Sequence, residues 1–315
     1  MNARPILELR ALIRSRLRRL FDDLGFLEVD TPVLSTEVLP EPHIDPIAVP
    51  IAGGADRWLQ ASPEALMKRL LAAGSGPIYQ FARSFRAGER GRQHDLEFVL
   101  LEWYAPQATL ADTATLLEQL CHVALGTAGI ERTTCSAAFG AAAGVDPLRA
   151  SLAEMETAVE RAGIRGPAPD PRAGAADRWD RAFEMLLSDV VQPRLGHGRP
   201  TMLEAWPASQ AAFARVDSDP PAARRFELFV SGVELANGWE EETGRDQLGA
   251  RIAAANRVRV ATGRPALPEP ARLVAAHGPG MPEGVGAALG FDRLVMLAAA
   301  ADSIDAVRCF RSGDA

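Results

Sequence analysis

The chain has 315 residues, 47% of them hydrophobic and 24% charged, and a formal charge of -7. That is ample apolar material for one large core or two moderate ones, and it excludes a disordered chain. The acidic balance argues against a protein whose main task is gripping nucleic acid, despite the local basic run from Arg14 to Arg19. The cysteines Cys121, Cys135 and Cys309 are odd in number and widely separated, so they form neither a disulfide framework nor a CxxC metal pattern, and a reducing cytoplasm is expected. The opening MNARPILELRALIRSRL lacks the apolar stretch and cleavage site of a secretory signal, and no segment approaches the roughly 20 apolar residues of a membrane span.

Apolar residues recur at helical spacing from Ile6 to Leu24 (Ile6, Leu9, Ile13, Leu17, Leu20, Phe21, Leu24), which predicts a helix closed by Gly25. GFLEVDTPVLS follows as a strand; Pro32 cannot donate to a ladder, so the strand belongs at an edge or an interface. Residues 40–57 read as loop or short strands. Ser62-Pro63-Glu64 then starts a helix, with Ser62 as N-cap, Pro63 in the first turn and Ala65 to Ala73 strongly helical. Glu64 in that turn ordinarily complements the helix dipole.

Residues 81–104, FARSFRAGERGRQHDLEFVLLEWY, have the outline of two strands around a loop. Alternation from Glu97 to Tyr104 puts Val99, Leu101 and Trp103 on one face and Phe98, Leu100, Glu102 and Tyr104 on the other. The Glu102 carboxylate therefore points the same way as large apolar side chains. Burying an unpaired carboxylate costs several kcal/mol, so a cation or a set of donors should meet it. Between the strands, Arg86, Glu89, Arg90, Arg92 and His94 share a loop with Gly88 and Gly91. Arginines on such a loop suit a polyphosphate, which each guanidinium can hold bidentately; a solvated surface hairpin is the alternative.

Leu110 to Leu125 predicts an amphipathic helix, and residues 135–200 an Ala-rich helical region broken by a surface linker at 163–175. His122 and His197 have no partner at metal-ligand spacing. A second hairpin pairs Arg225–Val230 with Val233–Asn237 around Ser231-Gly232. Near its end lie Glu234, Glu240, Glu241 and Glu242, whose oxygens could hold Mg²⁺ or an ammonium group, although a solvated acidic loop explains Glu240 and Glu242 equally well. Arg251 to Thr262 predicts a helix with exposed arginines, and 263–284 is rich in Pro and Gly. Finally Gly284, Gly286 and Gly290 precede a helix opening with Asp292-Arg293, a turn that lets an anion approach the backbone.

Taken together, the long helix with its proline-containing strand, the FR…H..EF…LEWY hairpin and the GxG…GxDRLVML strand-helix resemble motifs one, two and three of class II aminoacyl-tRNA synthetases. SPE, LLEWY and ELANG resemble the lysyl-tRNA synthetase subgroup, and within it the stand-alone lysyltransferase paralogues that act on elongation factor P. The resemblance implies an α+β fold, an antiparallel β-sheet flanked by helices, in one catalytic domain over residues 1–315. Motif one falls at about 6–35, motif two at about 78–105, a helical insertion at about 110–200 and motif three at about 284–300. With no anticodon-binding domain, tRNA is disfavoured as acceptor.

It also implies a homodimer, ATP and Mg²⁺, and lysine or β-lysine as substrate, activated as an adenylate and passed to a lysine of elongation factor P. Residue by residue, Arg86 would hold the α-phosphate and Arg293 the γ-phosphate end. Ser62, Pro63 and Glu64 match the amino-acid-contacting SPE; Glu102 and Tyr104 match the substrate pocket, and Glu241 the carboxylate that meets the side-chain ammonium. Glu234 matches an ATP and magnesium ligand, Leu235 its neighbour at the nucleotide, and Gly290 the glycine beneath the adenosine. The family's motif two often reads FRNEE and HNPEF; here Gly88 and Asp95 depart from it, which implies an adenine-side contact shifted to Glu89 or to the backbone and sets a carboxylate beside His94 near the triphosphate.

Overall fold

The computed structural model describes residues 4–166, 174–219, 221–310 and 313. The chain divides into two compact units: Met1–Thr113, Val123–Gly126 and Glu241–Ala315 form the first, Ala114–His122 and Thr127–Glu240 the second.

The first unit opens with α1 (Arg4–Asp23), which buries Ile13, Leu17 and Phe21 and leaves Leu7 and Leu12 exposed. Gly25, at φ 79°, ends the helical segment as the sequence requires. The expected strand through Pro32 is broken. Only β1 (Leu27–Glu28) and β2 (Leu34–Ser35) form, in different sheets, because Pro32 between them has no N–H to carry a ladder across. β2, β3 (Ile47–Val49) and β4 (Arg57–Leu59) make a small sheet with β4 in the centre.

The helix α2 (Glu64–Ala72) starts where SPE places it, but Ser62 is not its N-cap. Pro63 holds that position, and the Ser62 hydroxyl accepts the Glu64 N–H at 3.3 Å. β5 (Ile78–Phe85) and β6 (Glu97–Pro106) form the expected hairpin, in a register that sets Gln80 opposite Glu102 and Ile78 opposite Tyr104. Its outer face packs Phe21 on Tyr79 with ring centres 4.7 Å apart, beside Trp103.

Helix α3 (Leu110–Leu125) carries the chain into the second unit. There β7 (Glu131–Thr134) leads into α4 (Cys135–Ala143), capped by the Thr134 hydroxyl, and then α5 (Leu152–Arg161), opened by a capping box of Ser151 and Glu154. After α6 (Ala175–Leu186) come β8 (Thr201–Pro207), β9 (Ala222–Val230) and β10 (Val233–Glu240). The expected linker at 163–175 lies outside the described residues from 167 to 173. The strand order is β10-β9-β8-β7, antiparallel except for the edge pair β7 and β8. Ser231 and Gly232, both at positive φ, make the β9–β10 turn. Phe139, Phe183, Trp206 and Phe229 centre this core.

The chain returns to the first unit with α7 (Arg245–Ala261), which begins earlier than expected. Its arginines are not all exposed: Arg259 is 1% exposed and donates to the carbonyls of Glu41, Ile44 and Pro265 and to the Asp45 carboxylate. A buried guanidinium is tolerated here because its donors are met. α8 (Ala271–Ala276) forms inside the Pro- and Gly-rich stretch. Then β11 (Gly284–Gly290) and α9 (Phe291–Ala298) follow as the sequence predicts. In this unit the order is β1-β5-β6-β11, antiparallel except for the edge pair β1 and β5. Asp292 locks the start of α9, accepting the Val99 N–H at 2.9 Å and pairing with Arg10 at 2.7 Å.

Candidate active site

Two groups of functional side chains assemble in the first unit. The first is a buried acidic cluster. The inward face of β6 carries Glu102 and Tyr104, 2% and 3% exposed, and the Tyr104 hydroxyl donates to Glu102 Oε1 at 2.8 Å. Glu102 Oε2 has no partner. Burial pushes the Glu102 carboxyl up to about 8, with the Glu64 carboxylate adding to the effect and the Tyr104 hydrogen bond opposing it. Burial, and then the Glu102 charge, likewise raise the Tyr104 hydroxyl.

Against this pair stands Lys68, the chain's single lysine. It is 2% exposed and bridges Glu64, four residues earlier on α2, at 2.7 Å and Glu241 at 2.6 Å. Burial alone would lower its pKa; the Glu241 and Glu64 carboxylates outweigh burial and raise it, so the amine stays an ammonium. Sequence reasoning missed this residue, since a Glu–Lys pair at i,i+4 reads as an ordinary helix-surface pair. The usable signal was its neighbours on α2, Met67 and Leu71, which are buried too. Glu64 therefore does more than complement a helix dipole.

Backbone supports the cluster. Gly286 on β11 lies opposite Tyr104, and a Cβ there would overlap both Glu241 Oε1 and the Tyr104 ring, so only glycine fits. The Glu241 N–H donates to the Gly284 carbonyl at 2.9 Å. The adjacent carboxylates separate: Glu240 pairs with Arg224 at 2.7 Å, and Glu242 accepts the Gly244 N–H at 2.9 Å. Three consecutive glutamates thus serve three different partners.

The second group lies on the loop between β5 and β6. Arg86 is held from several sides: its N–H donates to the Leu96 carbonyl at 3.0 Å, its Nε to Ala61 at 3.4 Å, and its guanidinium lies 5.0 Å over the Phe98 ring. Glu89 is 3.7 Å away. The next N–H, of Ala87, donates at 2.7 Å to the carbonyl of Asp45, the residue that Arg259 clamps. Gly88 sits at φ 78°, where a glycine is favoured. Arg293, in the first turn of α9, donates to His94 Nε2 at 2.6 Å, which requires a neutral imidazole with its proton on Nδ1.

Asp95 departs from its expected setting. It is 7% exposed, accepts the Leu96 N–H at 2.8 Å and pairs with Arg308, so its charge is compensated inside the protein. Gly290 ends β11 three residues before Arg293 and is the N-cap of α9. Glu234 and Leu235 are on β10 in the second unit. His122 and His197 bond backbone carbonyls of Thr127 and Pro193, as structural histidines do.

One hairpin joins the buried acidic cluster to the loop of restrained arginines, an arrangement in keeping with the class II aminoacyl-tRNA synthetase family. The chain belongs to that family: residues 1–312 match the model for tRNA synthetases class II (D, K and N). It is similar to a protein of Sodalis glossinidius named elongation factor P–(R)-beta-lysine ligase, 40% identical over 307 residues, which are 96% of this chain and 93% of that one. Proteins of the same name from Erwinia tasmaniensis, 39% identical over 96% of this chain and 93% of theirs, and from Enterobacter sp. (strain 638), 38% over 97% and 94%, are similar to the same extent.

Proposed function

We propose that the chain is an ATP-dependent ligase that activates lysine or β-lysine and transfers it to the ε-amine of a lysine on elongation factor P. The observation that carries this is Glu102, a buried carboxylate with an open oxygen, set beside Tyr104 on the strand that continues from the arginine loop. Such a group favours a ligand that brings an ammonium.

In the first step an α-carboxylate oxygen of the amino acid attacks the α-phosphorus of ATP, and the bond to the β-phosphate breaks to release pyrophosphate. Arg86 meets the charge that builds on the α-phosphate; its stacking on Phe98 and its bond to Ala61 hold it ready before substrate arrives. Arg293 takes the far phosphate, with Gly88, Glu89, His94, Asp95 and Gly290 shaping the nucleotide site around these two arginines. Glu64, Glu102, Tyr104 and Glu241 hold the amino acid through its ammonium groups, with Ser62 and Pro63 at the start of α2 setting the approach. In the second step the acceptor ε-amine attacks the acyl carbon, an amide forms, AMP leaves and the proton goes to solvent. Catalysis is by positioning and charge, with no protein nucleophile.

Among the described residues no group of three or more His, Cys, Asp or Glu is placed to hold a metal ion. Mg²⁺ would arrive on the nucleotide, held chiefly by phosphate oxygens, with Glu234 the protein ligand that the family resemblance implies. There it would neutralise charge on the phosphates. Glu234 and Leu235 are the nucleotide contacts we assign to the second unit. We read both units as parts of one catalytic domain, working as a homodimer in the cytoplasm; among the described residues no helix is long and apolar enough to cross a membrane.

The acceptor is tested by incubating the protein with ATP, β-lysine or lysine, and either purified elongation factor P or bulk tRNA. An ATP-dependent mass increase on elongation factor P, absent from tRNA, is expected. Charging of tRNA alone overturns the acceptor assignment.

A further inference from the structure

Asp95 is an odd residue to find beside arginines that await phosphates. Its N-terminal neighbour His94 accepts from Arg293 at 2.6 Å, and its C-terminal neighbour Leu96 accepts the Arg86 N–H at 3.0 Å. A carboxylate between these two contacts, on the loop that presents Arg86, opposes an anion bound there. The structure compensates it with a residue 213 positions further along the chain: Arg308 donates to Asp95 Oδ2, and the two side chains are 13% and 9% exposed.

Arg308 is not a loose surface arginine. The segment that leads into it is tied down at two points: the Ile304 N–H donates to the Arg92 carbonyl at 2.9 Å, and Arg10 donates to the Val307 carbonyl at 3.1 Å. Ile304 and Val307 are buried, and Arg92 returns a bond to the Asp302 carbonyl at 3.3 Å. The loop that presents Arg86 is therefore fastened to residues 302–308 at Arg92 and again at Asp95.

We propose that Arg308 is a positioning residue for the nucleotide site, cancelling the Asp95 charge and holding that carboxylate away from Arg86 and Arg293. This rests on the reading of those two arginines as the phosphate-binding pair. Without Arg308, the Asp95 carboxylate competes with phosphate for them. Without the Asp95 charge, Arg308 remains as an additional cation beside the phosphate site. The two charges therefore act in opposite directions on ATP, whereas a purely structural bridge makes either loss harmful.

The test is calorimetric binding of ATP, with magnesium and no amino acid, to four full-length proteins: wild type, Arg308→Gln, Asp95→Asn and the double variant. Arg308→Gln is expected to raise the ATP Kd about tenfold, Asp95→Asn to lower it severalfold, and the double variant to return it to within about threefold of wild type. Arg308→Lys should recover most of the loss. In activity assays the KM for ATP moves while the KM for the amino acid stays. Weakening by both single variants with no recovery in the double, or equal Kd in all four, overturns the proposal. Should Arg308→Gln fail to fold, the direction of the Asp95→Asn shift decides, and weaker binding there also overturns it. Wild-type protein that binds no ATP would instead overturn the phosphate-site reading beneath it.

Discussion

The two ends of the candidate site handle charge in opposite ways. At the acidic end, Glu64, Lys68, Glu102, Tyr104 and Glu241 are all buried, and Lys68 meets two carboxylates before any substrate arrives. At the nucleotide end, Arg86 and Arg293 are half-buried beside an exposed, neutral His94, so two permanent cations are offered to solvent and steadied by stacking and carbonyls. Burial makes the first end selective, because each uncompensated charge there is expensive. Exposure makes the second end permissive, because guanidiniums remain charged whatever binds. The hairpin β5–β6 joins the two, so recognition of an ammonium and activation of its carboxylate share one rigid element.

The comparison breaks first at Arg86. Arg86→Ala should lower amino-acid-dependent pyrophosphate exchange by about 10³-fold while the melting temperature holds, since the lost guanidinium acts on the developing charge. A loss below about tenfold would remove Arg86 from its assigned role.

Next is Lys68. Lys68→Met strips the ammonium from between Glu64 and Glu241, and denaturant unfolding should show about 3–5 kcal/mol less stability. A change under about 1 kcal/mol would mean that Lys68 does not hold the acidic end together.

The smallest effect is a pH dependence that only the acidic end should show. Folding raises Glu102 from its ordinary 4.5 to about 8, so the fold favours the protonated carboxyl. That contribution is fully present below 4.5 and is lost as pH rises through about 8. A substrate ammonium needs the ionised form. The KM for the amino acid should therefore fall by about tenfold per pH unit between 6 and 8 and then level, while the KM for ATP stays flat across that range. Binding calorimetry near pH 7 in buffers of different ionisation enthalpy should register release of a proton. No proton release would return Glu102 to an ordinary carboxylate.

Much of this was legible in the sequence where local pattern decides the outcome. The alternation from Glu97 to Tyr104 set Glu102 among apolar side chains and exposed the tension that the buried cluster resolves. GVGAALGFDR gave both β11 and the start of α9. What escaped depends on residues far apart in the chain. Lys68 looks like a helix-surface partner until Glu241 closes on it, and Asp95 looks repulsive until Arg308 arrives. Arg259 looked solvated on a helix of arginines, yet the carbonyls of Glu41 and Ile44 in one distant loop, with that of nearby Pro265, draw it inside. The strand through Pro32 failed for the local reason already present in the sequence, a missing donor, which restricts pairing to two-residue pieces on either side.

The most direct test of the central claim is ATP–pyrophosphate exchange by the purified protein, with each standard amino acid and both β-lysine enantiomers in turn and no acceptor present. Exchange with lysine or β-lysine and with no other amino acid is the predicted result. Exchange that is absent with all of them, or that runs equally with uncharged amino acids, would contradict the account.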